Sequence, residues 1–238
     1  MSIRLAALLP ALLCFAGPSR ADPGPDDEAR SRKARSLAIL RSEGVPILEA
    51  LPVIETASTS RRRTTEEVAR RAMSLLVVAV KGEGLEQEVV ERLVKEYGLA
   101  PHLSPAEAKF LGDPDPSRRQ RVQFSWRYEA AWTLLWALGY VPELGKPGAT
   151  CDVPRAVGFL KDRGARRFVA EARLRPQAEL LDQADRIYRY DWAVVDARVN
   201  GRDPPAGLDP GVTVERHHAL NWVIGYMDQA WDDVSTDT

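Results

Sequence analysis

Apolar residues recur at helical spacing in one segment of this chain after another. Val68, Ala72, Leu75, Leu76 and Ala79 make one stripe, running to Gly82. Thr64 or Thr65 can cap that helix, and Glu66 and Glu67 suit the positive end of its dipole. A second helix over 86–97 is closed by Gly98, and Ser104-Pro105-Ala106-Glu107 starts a third with a capping box. Gly112-Asp113-Pro114-Asp115-Pro116 stops that one early. Beyond residue 139, a loop over 142–154 contains Cys151. Short helices over 155–162 and 165–173 flank Gly164. Residues 177–199 carry the longest pattern, with Leu181, Ala184, Tyr188, Trp192, Val195 and Val199 on one stripe. On that helix Asp182 with Arg186, and Asp185 with Arg189, are acid-before-base pairs four apart. A last helix, 212–227, turns Leu220, Val223, Ile224 and Met227 inward.

Between these segments lies 123–139, QFSWRYEAAWTLLWALG, within a helix expected over 118–139. It holds Trp126, Trp132 and Trp136, and its second half is apolar on nearly every side, as in a helix buried mid-domain. Arg127 and Glu129, two positions apart, point to nearly opposite faces and cannot satisfy one another. Each needs a partner from elsewhere in the fold. The pattern predicts a mainly α fold. It is a single compact multi-helix domain around this Trp-rich helix, with at most a short strand or two near 45–54.

The start of the chain reads differently. Residues 1–21 have Arg4 first, an apolar stretch over 5–17, then Ser19-Arg20-Ala21, the pattern of a secretory signal peptide cleaved near Ala21. Lipid attachment at Cys14 fits less well, since Leu13 stands where a small residue is wanted. Residues 22–33 are charged and Pro-rich and read as a disordered tether before a domain over 34–238. Export to the periplasm or beyond follows from that reading. The formal net charge of −1 leaves no basic surface for nucleic acid, and no run is long enough for a membrane span. Past residue 21 only Cys151 remains, which excludes an intramolecular disulfide and a Cys-rich metal site.

Few residues point to chemistry. His102, His217 and His218 lack the i, i+4 spacing of a zinc helix, no G-x-S-x-G occurs, and Gly82-Glu83-Gly84 is no phosphate loop. No cofactor or metal is expected on these grounds. Arg61-Arg62-Arg63 either grips an anion or is simply solvated. Trp126, Trp132, Trp136, Trp192, Trp222 and Trp231 either fill the core or line a groove. The ending WDDVSTDT holds Asp232, Asp233 and Asp237, after Asp228. It can bind calcium or magnesium, do acid–base work, or dangle as a tail. If Trp231 docks on the core, Asp232 or Asp233 can instead pair with Arg127 or Arg216, while Glu215 answers another buried arginine.

These motifs resemble the bacterial family catalogued as domain of unknown function 4272. The resemblance rests on Arg35-Ser36, the Glu67–Ala72 stretch, Leu103–Glu107, FSWRYEAAWTLLWALG, Leu180-Leu181-Asp182, Glu215-Arg216, Ala219–Trp222 and WDDVSTDT. It covers about 34–238 and implies no activity, only emphasis on positions such as Arg127, Glu129, Glu215, Arg216, Asn221, Asp232, Asp233 and Asp237. The expectation is an exported helical domain that binds an unidentified protein or small ligand without catalysis. One alternative is a hydrolase-like or metal-assisted enzyme using the Asp cluster with Glu129 or Glu215. Another is an inhibitor or immunity-type protein.

Overall fold

A computed structural model describes residues 24–238, so the signal-peptide reading of 1–21 lies outside the described residues. The chain forms helices α1 Pro25–Ser42, α2 Thr65–Gly82, α3 Gln87–Glu96, α4 Pro105–Gly112 and α5 Arg118–Ser125. These are followed by α6 Arg127–Ala137, α7 Val153–Lys161, α8 Gly164–Glu171, α9 Gln177–Val199 and α10 Pro210–Ile224. Among the described residues no strand forms, and 45–54 is irregular. The expected mainly α domain is what the chain adopts.

The packing order explains the sequence. α6 lies between α2 and α10, α9 covers the far side of α10, and α1 covers α9. Squeezed on both sides, α6 buries every residue from Tyr128 to Leu138, which is why its second half carries no polar face. α2 buries Val68, Ala69 and the whole run Ala72–Ala79 between α6 and the shorter helices. The expected capping box forms on α4, Ser104 with Glu107, and on α2 the expected Thr64 cap closes into a second box with Glu67.

Four expectations need correction. The tether reading of 22–33 fails from Pro25 onward, because α1 is helical there and Ala29 and Arg32 are buried. The charges that suggested disorder have tertiary partners: Arg32 meets Glu28, the Glu55 carbonyl at 2.9 Å, and Asp182 at 3.5 Å. The expected helix over 118–139 is broken at Trp126, whose carbonyl accepts the tighter i+3 bond from the Glu129 N–H at 3.0 Å. The stripe read on α9 holds only in its first half. Leu181 and Ala184 are buried as expected, but further along Ile187, Val194 and Ala197 take the buried positions and Val199 is 75% exposed. The expected Asp185–Arg189 pair does form, and both side chains are fully buried, because α9 is covered by α1 as well as α10. Finally, α10 stops at Ile224 with Gly225 left-handed at φ 72°, which turns Met227 out to 70% exposure.

The Arg61–Arg63 run is not wholly solvated. The Arg63 backbone N–H donates to the Val223 carbonyl at 2.9 Å, and its guanidinium donates to the Gln229 carbonyl at 2.8 Å. Arg62 donates to the Arg175 carbonyl at 2.9 Å. Cationic side chains here answer carbonyls at and beyond the negative end of α10.

Gly82 marks the closest approach of α2 to α5. A Cβ there would sit 2.7 Å from the Ser125 nitrogen and 2.8 Å from the Arg121 oxygen, both backbone atoms that cannot swing away. Gly82→Ala is therefore expected to lower stability by about 1–3 kcal/mol, measured by urea unfolding. An unchanged midpoint would mean that α5 is not seated on α2 as described.

Candidate functional site

Most of the polar residues singled out from the sequence fall in two places, and Asp232 and Asp233 lie in neither. The first is a network at the contact of α6 with α10. Arg127 Nη1 donates to both carboxylate oxygens of Glu215 at 3.0 Å, joining the first turn of α6 to α10. Burial pushes the Glu215 carboxyl above its ordinary range, and Arg127 offsets part of that rise. Glu129 points the other way, as its position on the helix requires. Its Oε1 accepts the Cys151 backbone N–H at 2.5 Å, and its Oε2 has no hydrogen-bond partner among the described residues. Burial raises this carboxyl as well, against the Cys151 bonds and the nearby charge of Arg216.

Arg216 is 4% exposed and donates to the Leu144 and Gly145 carbonyls at 3.0 and 3.1 Å. It acts on Glu129 through space, with no direct ion pair between them among the described residues. Cys151 Sγ lies 3.7 Å from the Tyr128 carbonyl oxygen. Burial and the Glu129 carboxylate both push the thiol above its usual range, so it is a poor nucleophile at neutral pH.

Trp231 is 3% exposed and docks edge-on against Trp222 and His218, at ring separations of 5.6 and 4.5 Å. Arg71 and Arg127 lie 5.2 and 6.0 Å from its ring centre. Burial, followed by the charge of Arg127, depresses His218 to about 4.

The docking of Trp231 was legible in the sequence, but the proposed pairing of its neighbours was not. Asp232 accepts the backbone N–H of Ala106 at 2.9 Å, on the first turn of α4, and meets neither Arg127 nor Arg216. Asp233 is exposed. Trp231 is held by aromatic faces and cations, so its acidic neighbours are free to point outward. Among the described residues no group of three or more His, Cys, Asp or Glu side chains is placed to hold a metal ion.

Trp132, Trp136, Trp222 and Trp231 are core residues. Trp126 and Trp192 are half-buried. Trp126 lies under α10, where a Cβ on Gly211 would come within 2.5 Å of its indole.

The second place is a groove of about 790 Å³ over the C-terminal half of α9. Asp191, Val194, Val195 and Arg198 line one wall, and Pro210, Gly211 and Val214 of α10 line another. Thr236, Asp237 and Thr238 close it. Asn221 positions that closing segment by donating to the Ser235 carbonyl at 2.9 Å. Asp237 also borders a smaller cleft of about 380 Å³ with Tyr188, Asn221 and Tyr226.

Asp191 and His217 were not anticipated as a pair. Nδ1 of His217 lies 2.7 Å from Asp191 Oδ2, and both side chains are buried. They sit on different helices, 26 residues apart, so no spacing rule connects them. The one available signal was that a buried histidine on α10 requires a polar neighbour.

The fold and these contacts define an all-α domain whose central helix is held by an arginine–carboxylate pair. A family model described as "Domain of unknown function (DUF4272)" matches residues 32–234, and the chain belongs to that family. No curated protein and no solved structure matches the chain.

Two outcomes test the network. Arg127→Ala leaves Glu215 desolvated without its cation and is expected to cost about 3–5 kcal/mol in chemical unfolding. A loss below about 1 kcal/mol, the scale of an exposed pair, would contradict the burial described.

Glu129 sets a pH dependence. Its folded carboxyl titrates above its ordinary value of 4.5, so the folded state binds the proton more tightly. Its contribution to stability is present below that value and is lost as pH rises through the folded one. Glu129→Gln should remove this loss, so the melting temperature of the variant should gain on the native protein as pH rises from 4.5 towards neutrality. A gap that stays constant with pH would mean Glu129 is ionised throughout.

Proposed function

We propose that this is an exported, non-enzymatic helical domain that holds a small ligand in the groove between α9 and α10. The observation that carries the reading is the groove itself. At about 790 Å³ it falls within the roughly 300–1,000 Å³ of small-molecule sites, with apolar walls and a few convergent polar groups. Asp191 is the most telling of these, since it is 3% exposed and still lines the cavity. His217 answers one of its oxygens, and a carboxylate has acceptor capacity left for a donor entering the groove.

The acid–base alternative drew on Asp232, Asp233 and Asp237 with Glu129 or Glu215. These carboxylates lie at four separate places: the α4 start, the exposed surface, the groove and the buried network. General acid–base chemistry needs its two groups within reach of one substrate bond, so the arrangement favours binding. Export rests on the charged start, apolar stretch and small-residue site of residues 1–21.

Thermal-shift screening of the purified protein against small polar metabolites tests the binding reading. Stabilising compounds should lose their effect in Val214→Arg, which pushes a long cation into the groove from a position already 40% exposed. No stabilising compound, or compounds indifferent to Val214→Arg, would sink the reading. For export, the protein recovered from its native host should begin at or near Asp22. An intact Met1 terminus would remove that part.

A further inference from the structure

We propose that the α9–α10 groove takes a short peptide with free termini, its ammonium group on Asp191 and its carboxylate on Arg198. This rests on the small-ligand reading above and narrows it to one chemistry.

Asp191 supplies the first anchor. Its Oδ2 is engaged by His217, whereas its Oδ1 makes no hydrogen bond among the described residues. That oxygen is also not sealed from the cavity, for the residue lines the groove and its free oxygen is absent from the fully enclosed, unpartnered atoms. A carboxylate oxygen held in place by a histidine and left open on one side suits a charged donor. An ammonium group provides three N–H bonds and the opposite charge.

Arg198 supplies the second anchor. It lies seven residues further along α9 on the same groove wall, a rise of about 10 Å. Its guanidinium makes no ion pair or hydrogen bond among the described residues, unlike that of Arg202 beside it, which is held by Asp196. Long side chains on a helix favour rotamers that lean towards its N-terminus, which puts the Arg198 guanidinium within range of a ligand held at Asp191. Between the anchors the walls are apolar, formed by Val194, Val195 and Val214.

Spacing selects the ligand within this class. An extended chain advances about 3.3–3.6 Å per residue, so two or three residues match the gap between the anchors once Arg198 leans inward. A single amino acid carries its charges too close together to reach both. A long peptide cannot place both termini in one groove of this size. The valine walls favour small apolar side chains over charged ones.

Isothermal titration calorimetry tests this with alanyl-valine and trialanine, their N-acetylated and C-amidated forms, and free alanine. The peptides with free termini should bind saturably, and blocking either terminus should weaken binding about tenfold or more, the scale of one charge-assisted hydrogen bond. Arg198→Ala alters an exposed residue and should bind free and C-amidated peptides equally. Asp191→Asn keeps an acceptor oxygen for His217 but presents an N–H2 group to the groove, so free and N-acetylated peptides should become equal. The blocked ligands carry the same comparison on the native protein, should that variant fold poorly.

Blocked peptides that bind as well as free ones would overturn the inference. So would a non-peptide compound that is sensitive to Val214→Arg while no peptide binds. That second result would leave the broader binding reading standing, whereas an absence of any groove-dependent ligand would remove both.

Discussion

The pair between Arg127 and Glu215 is the constraint from which most of this structure follows. It joins the first turn of α6 to α10 with two bonds from one guanidinium nitrogen at 3.0 Å, in a contact that also holds the buried Glu129 and Arg216. Hydrophobic burial alone would let two such helices slide along or rotate about one another, because it carries no direction. A charged pair removed from water permits one register, since any other leaves a bare buried charge. With that register set, Trp231 finds a slot against Trp222 and His218, and Arg127 forms one side of it. The rest of WDDVSTDT is positioned from that anchor.

Several ionisable groups at this contact are held away from their ordinary titration behaviour. Burial raises Glu129 and Glu215, whereas it depresses His218. These shifts oppose one another in their effect on stability as pH changes. The carboxyls favour the folded state at lower pH, whereas the neutral buried histidine favours it above its ordinary value of 6.5, a contribution lost as pH falls through about 4. His218 therefore offsets part of the pH dependence that the carboxyls impose. Cys151 belongs to the same neighbourhood, and the anion beside it makes it a packing group rather than a reagent.

How far the sequence could be read depended on the range of the interaction. The cap at Thr64, the capping box at Ser104, and both ends of α9 follow from residues within a few positions of each other and were legible. Opposed faces for Arg127 and Glu129 followed from helix geometry alone, as did their need for outside partners. The assignment of partners did not. Asp232 lies one residue from Trp231 and was an apparent match for Arg127, yet it caps α4, while Glu215 takes the arginine. Arg32 shows the same limit. Its charged surroundings suggested a solvated tether, but the fold covers it.

By itself, then, the sequence determined most of the helices, the ends of those with local stop and start signals, the dense burial of α6, and membership of a helical domain. Each of these is set by local backbone preference and by the period of apolar residues, which the chain carries in its order. Tertiary structure alone decided which charge answers which. It also decided that α9 is covered on two sides, and that Asp191, Arg198 and Thr236–Thr238 share a groove. The reason is physical: a buried charge accepts any suitable partner that the packing brings within about 3 Å. Helix packing brings together residues that no spacing along the chain relates.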